Sequence, residues 1–219
     1  MRITCISDTH SKHFGIDIPQ CDVLIHAGDV TSIGTKSQFY SFIEWFDMQP
    51  ATYKIWIGGN HDLSLDPQRS GEGKVPDWLT QLIKDAQDQN IFYLENSGCK
   101  IGDIKFWGSP ITPDFFPQHW AFNKPRGEEI NKVWKEIPND IDVLITHGPP
   151  HDIGDKVGIE NTGCKDLLQR VKIIKPKYHI FGHIHEGYGQ DKVGETTFIN
   201  ASICDVKYRP INDPIEIEI

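Results

Sequence analysis

Short runs of Ile, Val and aromatic residues alternate along this chain with longer stretches in which apolar residues recur every third or fourth position, and the two periods predict strands and helices in turn. Strands are expected at Ile3 to Ser7, Val23 to Ala27, Tyr53 to Ile57, Val143 to Ile145 and Tyr178 to Phe181. Between them, Phe39, Phe42, Ile43 and Phe46 form one helical stripe, and Leu79, Leu82, Ile83 and Ala86 a second. Ile130, Val133, Trp134 and Ile137 form a third, and Leu167, Leu168, Val171 and Ile174 a fourth. Each stripe marks one buried face. Pro76 suits a first helical turn, and Glu128 and Glu129 suit the positive end of a helix. Gly102-Asp103 separates Cys99 to Ile101 from Ile104 to Trp107, which predicts a tight hairpin and interrupts the alternation of strand and helix. Further strands at Thr196 to Ile199 and Ile215 to Ile219 have no helix between them, so the second half should be partly antiparallel. The pattern predicts an α/β fold of mixed α+β character, with one domain over residues 1–219.

Each of the first five strands runs into a polar cluster: Asp8-Thr9-His10, Gly28-Asp29, Gly59-Asn60-His61, Thr146-His147-Gly148 and Gly182-His183-Ile184-His185. In open α/β sheets the strand C-termini converge on one crevice, so clusters far apart in sequence can meet. Taken singly, D-x-H or G-D is mostly turn chemistry. It is the ordered set at five strand ends that points to metal. Carboxylate, imidazole and carboxamide donors without thiolate suit manganese, iron, cobalt, nickel or zinc. Asp8 and His10, at alternate positions, can share one ion with His185, while Asn60, His147 and His183 complete a second. Asp29 follows a glycine that lets the backbone turn tightly, and its two oxygens can bridge ions ~4 Å apart. Two such cations clamp a phosphoryl group and lower the pKa of a shared water, so that hydroxide attacks in line near neutral pH. His61, beside a ligand yet not needed as one, is the natural donor of a proton to the leaving oxygen, with Asp62 as its orienting partner.

Composition narrows the partners. The chain has 38% hydrophobic and 24% charged residues and no apolar stretch long enough to cross a bilayer, so no membrane is expected. Cys5, Cys21, Cys99, Cys164 and Cys204 show no C-x-x-C spacing, and their odd number fits reduced thiols and a cytoplasmic location. A net charge of -9 without any basic run argues against an extended nucleic-acid groove. Two bound cations would still leave the site able to hold a small phosphoester. Oligomeric state is left open by the sequence.

In their order, these clusters resemble the signature of the calcineurin-like metallophosphoesterase superfamily: D-x-H, G-D, G-N-H, a lone His, then G-H-x-H. The resemblance runs from Ile3 to about Asn200. It implies two packed mixed β-sheets flanked by α-helices, and a two-metal centre that hydrolyses phosphomonoesters or phosphodiesters. It also implies Asp8, His10, Asp29 and His185 around one ion, Asp29, Asn60, His147 and His183 around the other, and His61 beside the scissile phosphate. Gly108-Ser109-Pro110, Trp120-Ala121-Phe122-Asn123, Pro125-Arg126-Gly127, Thr146 to Pro150, Gly182 to Gly189 and Ile199 to Ser202 are similar to the metallophosphoesterase-domain-containing subgroup. Some animal members of that subgroup carry glycine where this chain has His183, so the resemblance implies a complete site here, and the subgroup's nucleotide binding and phosphodiesterase activity imply a nucleotide-like substrate. After Gly28-Asp29 the chain reads Val30-Thr31-Ser32, without the phosphate-gripping arginine of serine/threonine protein phosphatases. The expectation is a phosphodiesterase of small nucleotide-like esters, cyclic nucleotides among them, using two divalent ions with manganese first. A nucleotide-binding regulator with vestigial catalysis, a phosphomonoesterase and a metal-free scaffold are the alternatives.

Three long loops, at 66–75, 110–126 and 149–163, are expected to serve function, as unstructured loops of this length usually do. The second carries Phe115, Phe116, Trp120 and Phe122 with Asn123 and Arg126, a set able to stack a base and contact phosphate or sugar. Such aromatics more often cap a core. Tyr188, leaving the last metal-bearing turn, is a further substrate-binding candidate. His13, His26, His119, His151 and His179 match no motif and are expected to be structural or at the surface, His151 being the one near His147. Cys5 is expected to be a small buried hydrophobe.

Overall fold

The computed structural model describes residues 1–116 and 119–219. In chain order, the first half contains β1 (Arg2–Ile6), β2 (Cys21–His26), α1 (Lys36–Asp47), β3 (Ala51–Trp56), α2 (Asp77–Gln87) and β4 (Ile91–Tyr93). A hairpin of β5 (Ser97–Ile101) and β6 (Ile104–Ser109) follows, then the short β7 (Thr112–Pro113) and β8 (Asn123–Lys124). The second half contains α3 (Glu128–Glu136), β9 (Val143–Thr146), β10 (Lys156–Val157), β11 (Glu160–Asn161), α4 (Lys165–Ile174) and β12 (Tyr178–Phe181). The chain closes with β13 (Gly189–Val193), β14 (Thr196–Asn200) and β15 (Ile215–Glu218).

Two large sheets result, ordered β15-β1-β2-β3-β4 and β13-β14-β12-β9-β6-β5. Both are mixed: β1 to β4 pair in parallel, as do β6, β9, β12 and β14, while β15, β13 and β5 add antiparallel edges. Side chains alternate across each strand. Ile3, Val23, Ile25 and Ile55 of one sheet therefore meet Phe106, Val143, Ile145, Ile180 and Ile199 of the other in an inner core. The opposite faces, with Leu24, Trp56, Leu144 and Phe181, pack against the apolar stripes of the helices. This is the expected sandwich, helix on sheet on sheet on helix.

The four helices form where the stripes place them, and α1 begins with a reciprocal cap between Thr35 and Gln38. Pro76 is the residue that precedes α2, not part of its first turn. Strands β1, β2 and β3 end one residue before the predicted limits, although Ala27 and Ile57 still donate to Ile6 O and His26 O at 2.9 and 3.1 Å and Ser7 still bridges to Ser202. The expected sequence pattern missed β4, β7, β8, β10, β11 and β13. Those segments are only two to five residues long, and β13, with its exposed run Gln190 to Val193, has no alternation to detect.

Candidate metal centre

The five polar clusters converge where the parallel strands of both sheets end. Backbone hydrogen bonds stitch the turns together: Asp8 N–H to Gly28 O at 3.0 Å, His10 N–H to Asp29 O at 3.0 Å, His147 N–H to Ser109 O at 3.2 Å and Gly182 N–H to His147 O at 3.0 Å. Asp8, His10, Asp29 and His183 all adopt left-handed backbone, with φ of 54°, 44°, 54° and 67°. Non-glycine residues seldom do so, and four in one place mark a locus where the surrounding fold holds strain.

Each carboxylate is half committed to holding itself in place. Asp8 Oδ2 accepts from the His183 backbone N–H at 2.9 Å and from Ser202 Oγ at 3.0 Å, while Oδ1, which shares that N–H at 3.1 Å, faces His185 Nε2 at 3.5 Å and His10 Nε2 at 3.9 Å. Asp29 Oδ1 accepts the His61 N–H at 2.8 Å, so the other oxygen, Oδ2, looks inward. It lies 3.8 Å from His10 Nε2 and 3.4 Å from His147 Nε2. One oxygen, not the two expected, is thus placed between the donor sets.

The imidazoles are oriented from behind. His147 Nδ1 lies 3.0 Å from Ala27 O, His185 Nδ1 2.9 Å from Asp205 O, and His61 Nδ1 2.7 Å from Ser32 O. A carbonyl can only accept, so each Nδ1 carries the proton and each Nε2 faces the site, the arrangement that suits a metal-ligating histidine. His10 Nε2 and His185 Nε2 stand 3.3 Å apart, aimed with Asp8 at one point, and His147 Nε2 lies 2.9 Å from Asn60 Oδ1. The donor groups Asp8/His10/His185 and Asp8/Asp29/His147 each come within 4.8 Å of one another, as do His10, Asp29 and His61. The His183 ring centre lies 5.0 Å from that of His147, but His183 joins none of these three groups.

The field at this locus demands positive charge. Burial opposes ionisation of Asp8 and Asp29, yet the surrounding histidines outweigh it and hold both carboxyls well below their usual range. Burial likewise opposes charge on His147 and His185, but the two carboxylates prevail and raise these imidazoles to about 9. His10 and His183, where burial dominates, are lowered to about 4 and about 3. Buried anions ringed by Nε2 atoms of fixed orientation fit divalent cations of the hard-to-borderline class.

Asp62 does not orient His61. Its carboxylate is fully buried and accepts from Val30 N, Thr31 N, Thr31 Oγ1 and Gly59 N at 3.2, 2.8, 2.6 and 2.8 Å, tying the loop after β2 to the loop after β3. The Ser32 carbonyl holds the His61 ring instead.

Substrate candidates divide. Arg126 donates to the carbonyls of Gly163 and Thr162 at 2.8 and 2.6 Å and lines a cavity of about 750 Å³ that opens at His183. Pro113, Phe115, Pro149, Val157 and Lys165 also line it. The Asn123 amide is tied to Thr112 Oγ1 and Ala121 O at 3.0 and 2.9 Å, and Asn123 does not line that cavity. Tyr188 donates its hydroxyl to Asp213 O at 2.8 Å and lines neither this cavity nor a smaller one beside it. Of the loop aromatics, Phe122 is core, whereas Trp120 covers the His61 ring at 4.3 Å and Phe115 lies 5.2 Å from His183. His13, His26 and His179 are buried, as is Cys5, and His151 lines the large cavity.

Sequence reasoning missed Ser202, the Asp205 carbonyl and Tyr208, all from the C-terminal segment. The Tyr208 ring centre lies 4.8 Å from that of His10 and 5.4 Å from that of His185. Only the Asn200 to Ser202 stretch gave any signal, as part of the resemblance.

Residues 1–187 match the family profile "Calcineurin-like phosphoesterase". The chain belongs to that family. Metallophosphoesterase domain-containing protein 1 of Homo sapiens is 40% identical over an alignment covering 100% of this chain and 71% of that protein. UPF0046 protein K07C11.7 of Caenorhabditis elegans is 39% identical, covering 96% of this chain and 74% of that protein. Among solved structures, Phosphopantetheinyl Hydrolase (PptH) from Mycobacterium tuberculosis superposes with a TM-score of 0.65 at 15% identity, covering 94% of this chain and 90% of that one, which speaks to the fold alone. Membership in this family supports metal-dependent hydrolysis of phosphoric esters, and the donor groups above are candidate metal ligands. Among the described residues, no helix is long and apolar enough to cross a membrane.

Proposed function

We propose that this protein is a phosphodiesterase of small nucleotide-like esters, with Asp8, His10, Asp29 and His185 around one divalent cation and Asp29, Asn60, His147 and His183 around another. The single observation that carries this reading is the position of Asp29 Oδ2, between His10 Nε2 at 3.8 Å and His147 Nε2 at 3.4 Å. Bound there, the cations supply Lewis acidity toward phosphoryl oxygens and a nucleophile at neutral pH. Manganese is the first choice for assay, with iron, zinc, cobalt and nickel compatible with the same donors.

The chain's own residues do the rest. His61, edge-on to His10 at 4.6 Å and covered by Trp120, keeps its Nδ1–H on Ser32 O and so aims Nε2 outward; as the doubly protonated imidazolium it gives the Nε2 proton to the leaving oxygen and returns to the neutral Nδ1–H form. Asp8 and Asp29, fixed by Ser202 and by the backbone of His183 and His61, need no reorganisation as charge develops. The large cavity at His183 has the size and the aromatic wall, Phe115, to take a nucleoside-like group, with Arg126 and Lys165 on its rim. We read residues 1–219 as one catalytic domain, and its five free cysteines suit a reducing cytoplasm.

The test is hydrolysis of an aryl phosphodiester by purified protein loaded with manganese, against Asn60→Ala and His61→Ala. A rate above both variants is expected. Equal rates in all three would end the reading.

A further inference from the structure

We propose that Tyr208 is a specificity-determining residue: it walls a second, smaller pocket across His183 from the large cavity, so that the site takes the two separate organic arms of a linear, unsymmetrical phosphodiester. The proposal rests on the phosphoesterase reading above and narrows its substrate. The two pockets differ in size, about 750 and 220 Å³, and meet at His183 and Glu186, which line both. The smaller is completed by His185, Val206 and Tyr208. A phosphoryl group held at His183 and His185 would therefore direct one substituent past Phe115 and the other past Tyr208. A monoester has nothing for the second pocket, and in a cyclic nucleotide both ester oxygens belong to one ring.

The way Tyr208 is built supports a role at the substrate. Its φ is 57°, a conformation that a bulky residue avoids, and it is held there by its own turn. The Asp205 carboxylate accepts from the N–H groups of Lys207 and Arg209, both at 2.9 Å, and from Arg209 Nε at 2.8 Å, while Tyr208 N–H donates to Asp205 O at 2.8 Å. That same carbonyl fixes His185. One residue thus aims both the imidazole and the phenol ring. Lys12 Nζ anchors the turn from the other side through the Tyr208 carbonyl. Tyr208 nevertheless stays 42% exposed, with its ring T-shaped to His10 and His185 and Lys12 Nζ 5.7 Å from its ring centre. A structural plug would be covered.

The experiment compares kcat/KM for a nucleoside 5′-(4-nitrophenyl) phosphate, 4-nitrophenyl phosphate, and 2′,3′- and 3′,5′-cyclic nucleotides in manganese-loaded wild type, Tyr208→Ala, Tyr208→Phe and Val206→Trp. The wild type should favour the linear diester. Tyr208→Ala should cut the diester-to-monoester ratio about tenfold, chiefly through KM, the size of one aromatic contact. Tyr208→Phe should restore the ratio, and Val206→Trp, which fills the small pocket from within the turn but replaces a side chain that makes none of the turn's hydrogen bonds, should lower it. Metal content per chain should match wild type throughout. An unchanged ratio in Tyr208→Ala and Val206→Trp, or a preference for cyclic nucleotides, overturns the assignment. Hydrolysis of none of these esters by the wild type sinks the phosphoesterase reading itself and the assignment with it.

Discussion

Gly59 leaves no room for a side chain. A Cβ there would stand 2.3 Å from Asp29 Oδ1 and 2.7 Å from His147 Cε1, and one at Gly182 would stand 1.9 Å from Asp8 Oδ2. These glycines are set by close approach to the carboxylates, a constraint that the motifs G-N-H and G-H-x-H carry without explaining. Gly59→Ala should therefore lose bound metal and activity together, readable by elemental analysis and initial rates. His61→Ala and Asp29→Ala should separate: the first loses about 10²- to 10⁴-fold in rate with metal largely retained, the second loses metal as well. Retention of full metal by Asp29→Ala would remove the bridging oxygen from the account. At this scale the donor types were legible because residue chemistry restricts what a carboxylate or imidazole at a strand end can do. Which oxygen of Asp29 faces inward was not, since the choice depends on the His61 N–H arriving from another strand.

Between elements, the loops after β2 and β3 are joined through Asp62. Burial, then the neighbouring Asp29 charge, push its carboxyl up to about 7, against four donors that favour the anion. Asp62→Asn puts an amide N–H₂ against at least one pair of these donors. It should cost about 3 kcal/mol in urea melts and weaken metal binding with every ligand intact. Loss of no more than about 0.5 kcal/mol would show that the clasp is dispensable. At the start of α1, Thr35→Ala should cost about 1 kcal/mol by removing the reciprocal cap, without a change in metal content. The sequence places Asp62 beside His61 and so suggests a partnership; the turn of the chain sends its carboxylate the other way. Helices α1 to α4 were readable from apolar spacing alone because each buries one stripe. Strand β13 was not, because an exposed edge needs only a neighbour to pair with, here β14.

Across the molecule, two buried histidines brace the site from the helix-facing sides of the sheets. His26 Nε2 lies 2.9 Å from Thr9 Oγ1 and His179 Nε2 2.8 Å from Thr146 Oγ1, each threonine belonging to a ligand-bearing turn. Burial lowers both imidazoles from 6.5 to about 3. Between those values the unfolded chain binds protons that the folded one refuses, so their contribution is whole above pH 6.5 and drains away as pH falls toward 3. Chelator-treated protein should lose several kcal/mol between about pH 6.5 and 4.5, and His179→Gln should flatten that slope; an unchanged slope would deny the histidine its part. Because the clustered carboxylates and imidazoles call for positive charge, added manganese should raise Tm and a chelator should reverse the rise. The sequence by itself determined the run of strands and helices and the donor inventory, because period and residue chemistry are local properties, while the two-sheet sandwich was implied by the resemblance to the family. The tertiary structure alone decided the single inward oxygen of Asp29, the Ser32 hold on His61, the Asp62 clasp and the approach of Tyr208, because each depends on where segments from distant parts of the chain finally come to rest.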